Sequence, residues 1–303
     1  MCALAGIEMF WRARGFHPTL TNTSWLWCET RGRVASNGVV ILGSSRLQTG
    51  LDPVVLSDTL GGRPVSQLAI VGANPIPALL DLANDASFNG VVLFEYMPRR
   101  LFTPDFGSTE RTAAFVASCR DPSVIAPIEA KLERELEQRL VILNDDLQFV
   151  ALASFFAHHK RLPRHESERL RPDRFTEMLF PEDEHTPHAP DVWDAPFTGT
   201  AFEEHLHELH DAIAKIKARG GKVVLYRSPI SHDILADEEA RFPANVWLER
   251  TARALDVPAI DYATLPGLPP VDTPDGEHPR ARDVPALTRV VGQALASLLA
   301  TER

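Results

Sequence analysis

Short apolar runs alternate along this chain with longer stretches in which apolar positions recur every three or four residues. Five runs read as strands: Val39–Gly43, Gln67–Gly72, Gly90–Tyr96, Lys222–Arg227 and Val257–Asp261. The first is rich in β-branched Val and Ile without polar alternation, as expected of a parallel strand buried on both faces. Asp52-Pro53 marks the start of the helix that follows, with Asp as N-cap and Pro in the first turn. Before the fourth strand, Phe202, Leu206, Leu209, Ile213 and Ile216 build one helical apolar face, which Gly220-Gly221 ends. A last helix covers roughly 285–299 behind Asp283. Strands alternating with helices predict βαβ units and a mostly parallel sheet.

More than a hundred residues separate the third and fourth strands, too many for one crossover. Residues 125–159 read as one or two helices, because Leu132, Leu136, Leu140 and Leu143 keep helical spacing. A basic stretch, 158–174, and an acidic, Pro-rich one, 181–196, follow. The chain is therefore expected to be a single α/β domain over 1–303, with an N-terminal extension over 1–36. A helical insertion and loop over 108–200 lies near the catalytic edge as a lid or substrate-selecting cap.

Composition changes this picture little. The chain has 303 residues, 44% hydrophobic and 24% charged, enough for a substantial core. A net charge of −10 without a long basic run argues against nucleic acid and against a bare anionic membrane surface. Residues 1–11 are apolar apart from Glu8, far short of a membrane span, and lack the basic start and cleavage site of a signal peptide. They read as an amphipathic helix or the tail of a membrane anchor. Cys2, Cys28 and Cys119 are widely spaced and odd in number, which suggests neither a disulfide framework nor a zinc cluster. Histidines 205, 207 and 210 on one helix, and 185 and 188 in the acidic loop, read as exposed side chains, so neither metal nor cofactor is expected.

The chemistry lies at two distant points. The first strand runs through Gly43 into Ser44-Ser45-Arg46, at the carboxyl end where open α/β sheets bind ligands. Near the C-terminus, Asp275-Gly276-Glu277-His278 precedes the last helix. Serine is a weak nucleophile until a base takes its proton, and a third group must hold that base in one tautomer. His278 is the natural base and Asp275 its orienting carboxylate. Arg46 has two readings: a ligand for an anionic or sugar substrate, or a salt bridge that fixes the loop. Arg99 and Arg100, after the third strand, have two readings, cleft-lining side chains or solvated charge, and the second is favoured.

Gly43-Ser44-Ser45 after the first strand, with Asp-x-x-His before the last helix, resembles the SGNH (GDSL-like) hydrolase superfamily. Ser44 stands where that family usually has Asp, which aligns Ser45 with the nucleophile. The stretch Tyr226-Arg227-Ser228-Pro229-Ile230-Ser231, followed by Phe242-Pro243, is similar to bacterial SGNH-like proteins associated with cell-surface polysaccharide modification. The resemblance implies a flavodoxin-like three-layer sandwich with a parallel five-stranded sheet of order 2-1-3-4-5. It also implies an oxyanion hole of the Ser45 amide, the Gly72 amide and an asparagine after the third strand. That asparagine is absent, and Asn74 in the neighbouring loop is the substitute.

The expected function is a serine esterase or deacylase acting on an O-acyl ester, with a carbohydrate ester as one candidate substrate. The alternatives are an O-acyltransferase for a polysaccharide and a non-catalytic binding scaffold. The resemblance implies a bacterial envelope or periplasmic protein; the N-terminus, if complete, implies a cytoplasmic one. Oligomeric state is left open.

Overall fold

The computed structural model describes residues 2–102, 109–120, 126–163, 166–181 and 200–301. Five parallel strands form the central sheet: β1 (Val39–Leu42), β2 (Val65–Gln67), β3 (Val91–Glu95), β6 (Lys222–Arg227) and β7 (Ala259–Asp261). Their order is β2-β1-β3-β6-β7. Counted within the sheet alone this is 2-1-3-4-5, the flavodoxin-like arrangement. A separate antiparallel hairpin, β4 (Glu168–Leu170) with β5 (Thr176–Met178), lies in the insertion.

The three layers follow from the strands' side-chain period of two. Val40, Leu42, Val92, Phe94, Val223 and Leu225 point to one face, under the helices Ile76–Asn84, Thr200–Lys217 and Ala244–Leu255. Val39, Ile41, Val91, Leu93, Val224 and Tyr226 point to the other, under Ser45–Gly50, Pro53–Thr59 and Val284–Thr301. The three inner strands, β1, β3 and β6, are buried on both faces, which is why the sequence there shows apolar runs rather than alternation.

Three details depart from the sequence reading. Regular β2 ends at Gln67, although Leu68 and Ile70 still donate to the Ile41 and Gly43 carbonyls of the β1 segment. The first helix after β1 begins at Ser45, not at Asp52; Asp52 caps a second helix, accepting from the Val54 and Val55 amides. Cys28 and Cys119 form a disulfide, contrary to expectation. Ninety-one residues separate them, so spacing gives no hint of the pair; packing of helix Ser24–Gly32 against Thr109–Ser118 brings them together.

The insertion contains the helices Thr109–Ser118, Ala126–Glu137 and Phe149–His159; of the four spaced leucines, Leu132 and Leu136 lie in the second helix, whereas Leu140 and Leu143 fall beyond its end at a short 3-10 turn, and the β4–β5 hairpin was missed by the sequence reading. His185 and His188 lie outside the described residues, as does most of the acidic loop. No described helix is long and apolar enough to cross a membrane.

Candidate active site

Gly43 must be glycine because a Cβ there would come within 2.9 Å of Leu47 and 3.0 Å of Glu95. The tight turn it allows puts Ser44 at the N-cap of helix Ser45–Gly50 and Ser45 in its first position. The two serines are then distinguished by environment. Ser44 is buried, its amide donating to Glu95 Oε2 (2.6 Å) and its hydroxyl to Oε1 (3.0 Å). Ser45 keeps partial exposure.

Glu95, the last residue of β3, is fully enclosed. Burial pushes its carboxyl above the usual carboxylate range, outweighing the pull of Arg46, Arg100 and the Ser44 hydrogen bonds.

The Asp275 loop is a compact hydrogen-bonded unit. Asp275 Oδ1 accepts from the Glu277 and His278 amides (3.0 and 2.8 Å), while Oδ2 lies 2.6 Å from His278 Nδ1. Burial raises the Asp275 pKa, but hydrogen bonds and charge from His278 and the two amides carry it below the ordinary value. His278 Nε2 is buried and has no hydrogen-bond partner among the described residues.

Arg46 joins the two motifs. It is buried, with Nη2 2.7 Å from Glu277 and Nη1 3.3 Å from Glu238. Thus the residue after Ser45 grips the residue before His278, and Gly50 in turn lies beside Pro279. Arg46 is a salt bridge that fixes the loop rather than a substrate ligand, because its charge is consumed below the surface by two carboxylates. Arg99 and Arg100 are likewise buried, not solvated. Arg100 donates to the Gly72 carbonyl at 3.2 Å.

Gly72 lies in the loop after β2 with φ +70°, exposed to solvent, in the left-handed region that glycine favours. Asn74, the substitute oxyanion donor expected from the sequence, is buried. Its Nδ2 donates to the Arg100 carbonyl (2.9 Å) and its Oδ1 accepts from the Ile76 amide (3.1 Å), which commits it to the start of the next helix.

No family model and no curated protein matches the chain. Among solved structures it is similar to a Corynascus thermopiles (Myceliophthora fergusii) carbohydrate esterase family 2 enzyme plus carbohydrate binding domain. The identity is 14%, over 88% of this chain and 68% of that chain, with a TM-score of 0.39.

Two features sequence reasoning did not find border the site. Gln48 donates to Thr176 in β5 (3.2 Å), and Arg171 pairs with Asp52 (2.7 Å), so the hairpin is fastened to the helices that follow Ser44. Glu238 signalled nothing in the sequence, since its partners Arg46 and Arg227 are fixed only by the fold. Elsewhere, His207, His210 and Asp211 bring their ligand atoms within 4.8 Å of one another on exposed helix surface. His205 is on the same helix, but its side chain is outside the described set.

Proposed function

We propose that the chain is an SGNH-type serine esterase or deacylase acting on an O-acyl ester, with Ser45 as nucleophile, His278 as base and Asp275 as its orienting group. One observation carries the reading: Asp275 holds His278 by Nδ1 and leaves Nε2 unpartnered, while the Arg46–Glu277 pair locks the Ser45 turn to the His278 loop. A serine triad requires this Asp–His contact together with one from the serine hydroxyl to the other imidazole nitrogen; the first is present, and the unengaged Nε2 is the atom that would take the Ser45 proton.

In this reading Ser45 Oγ attacks the acyl carbon and its proton passes to His278 Nε2. The Ser45 and Gly72 amides receive the oxyanion. Collapse breaks the ester C–O bond, and His278 returns the proton to the departing alcohol. Water then repeats the sequence and releases the acid. Asp275 stays ionised throughout, in keeping with its lowered pKa. The reaction needs no cofactor. A carbohydrate alcohol is taken from the resemblance to polysaccharide-modifying proteins. The Cys28–Cys119 disulfide supports residence in an oxidising compartment.

Fluorophosphonate labelling tests the assignment. Wild type should label, and Ser45→Ala and His278→Ala should not, with circular dichroism unchanged. A folded wild type that does not label, or a Ser45→Ala variant that does, overturns it. Acetylated sugars with and without a sugar acceptor then separate hydrolysis from transfer, by free acetate against acyl-sugar.

A further inference from the structure

The helix Thr200–Lys217 buries Leu206, Leu209, Ile213 and Ile216 against the sheet and turns the residues between them to solvent. Among these, His210 and Asp211 follow His207 by three and four positions, the spacing that gathers side chains on one helical face. Asp211 Oδ1 lies 3.8 Å from His207 Nδ1 and 3.9 Å from His210 Nδ1. Both spacings are too long for hydrogen bonds. They are close to what a single ion demands, because ligands roughly 2.1 Å from a tetrahedral zinc sit about 3.4 Å apart. The side chains are 74, 47 and 61% exposed, so small rotations can close them on one centre that solvent reaches.

Glu204 and Glu208 are exposed on the same helix. The cations of this helix and of its neighbour Ala244–Leu255 each have another partner. Lys215 donates to Asn84 Oδ1 at 3.4 Å, and Lys217 is paired with Asp256. Arg250 lies over the Trp247 ring, and Arg253 donates to the Glu249 carbonyl at 3.3 Å. Asp256, just past the end of the neighbouring helix, is held below the ordinary carboxylate range by Lys217 and then by His210, so its charge also acts on the cluster. The helix Thr200–Lys217 covers the opposite face of the sheet from Ser45–Gly50, which separates this cluster from the Ser45 site.

We infer that His207, His210 and Asp211 form a surface binding site for a zinc-class divalent ion. Two imidazoles and a carboxylate are a donor set that suits zinc, whereas magnesium and calcium take oxygen ligands. Three protein ligands leave the fourth position to water. The net charge of −10 favours the approach of any cation, and the imidazoles make the choice among them. Sequence spacing did not mark the site, because the zinc pattern expected of a helix has two histidines four apart, and here an aspartate holds the second place. The ion takes no part in the proposed hydrolysis.

Titration calorimetry of the untagged full chain with zinc chloride tests this. Binding should fit one ion per chain, and the urea midpoint should rise with zinc concentration. His207→Ala, His210→Ala and Asp211→Asn should each weaken binding at least about tenfold, since an outer-shell partner alone is worth that much. All three are exposed positions, so circular dichroism and fluorophosphonate labelling should stay as in wild type. That separates this proposal from the hydrolase assignment. His158→Ala, which removes an exposed histidine on another helix, should bind zinc as wild type does. Excess magnesium should leave zinc in place. Wild type that binds no zinc overturns the proposal. So does a His207→Ala/His210→Ala variant that binds it unchanged, a loss on His158→Ala instead, or displacement by magnesium, each of which would mean an adventitious ion only.

Discussion

Ser44 and Ser45 are chemically alike and adjacent, and Glu95 makes them different. By accepting both the amide and the hydroxyl of Ser44, it fixes the turn that leaves Ser45 as the exposed serine. Glu95→Ala strands two buried donors, at a cost of about 1–3 kcal/mol each, and should abolish labelling. Glu95→Gln retains the acceptor and should keep it. The pH dependence has a definite sign. A carboxyl whose folded pKa lies above its ordinary 4.5 binds its proton more tightly when folded. Its stabilisation is full below that value and declines as pH rises through the folded pKa. Urea midpoints measured upward from pH 4.5 should show this decline in wild type and less of it in Glu95→Gln. Asp275 behaves oppositely. Its folded pKa lies below 3.8, so its contribution is present above that value and is lost as pH falls through the folded one. Asp275→Asn should flatten this acid limb. By favouring the wrong tautomer of His278, it should also slow labelling by about 10³–10⁴-fold.

The β4–β5 hairpin shows how an element escapes sequence reading. Its strands are three residues each, too short for a period to emerge, and they sit in a stretch whose evident property is positive charge. What fixes the hairpin is the burial of one of those charges. Arg174, at φ +66°, reaches the outer edge of the sheet. It donates to the Gln67 and Ala69 carbonyls (2.7 and 3.1 Å) and to Asn22 Oδ1 (2.8 Å). Those carbonyls belong to the edge strand and its continuation, facing away from β1, so the guanidinium covers an edge that would otherwise be open. Burial draws its pKa down to about 9, leaving it charged at neutral pH. Arg174→Met removes the donors and leaves two buried acceptors, for an expected loss of about 2–4 kcal/mol. Because Thr176 and Arg171 hold Gln48 and Asp52 from the same hairpin, limited proteolysis between 166 and 181 should accelerate before the sheet unfolds. Cleavage at the wild-type rate would show that the hairpin is held by its other contacts.

At the scale of the molecule, the central sheet was legible because its three inner strands are buried on both faces and so declare themselves as apolar runs. The two ends of the site were legible because glycine, serine and the Asp-x-x-His spacing have local causes. The contacts between them were not. Arg46 meets Glu238 192 residues away and Glu277 231 residues away, and a lone arginine in sequence names neither. The same holds for Cys28 and Cys119. Their bond ties the helix before β1 to the helix after β3 and encloses the strands that carry Ser45 and Gly72. Closing a loop of this length restricts the unfolded chain by an amount worth about 4–5 kcal/mol. Reduction, or the Cys28→Ala/Cys119→Ala variant, should therefore lower the urea midpoint substantially. Labelling of Ser45 at low denaturant should survive, since Arg46, Glu277 and Asp275 still hold the site. Intact-mass measurement gives the independent check, a loss of two hydrogens that reductant restores. Equal midpoints with and without reductant would show that the cross-link contributes nothing to the fold. A midpoint that falls together with labelling would show that the site depends on the cross-link between these two helices as well as on its own ion pairs.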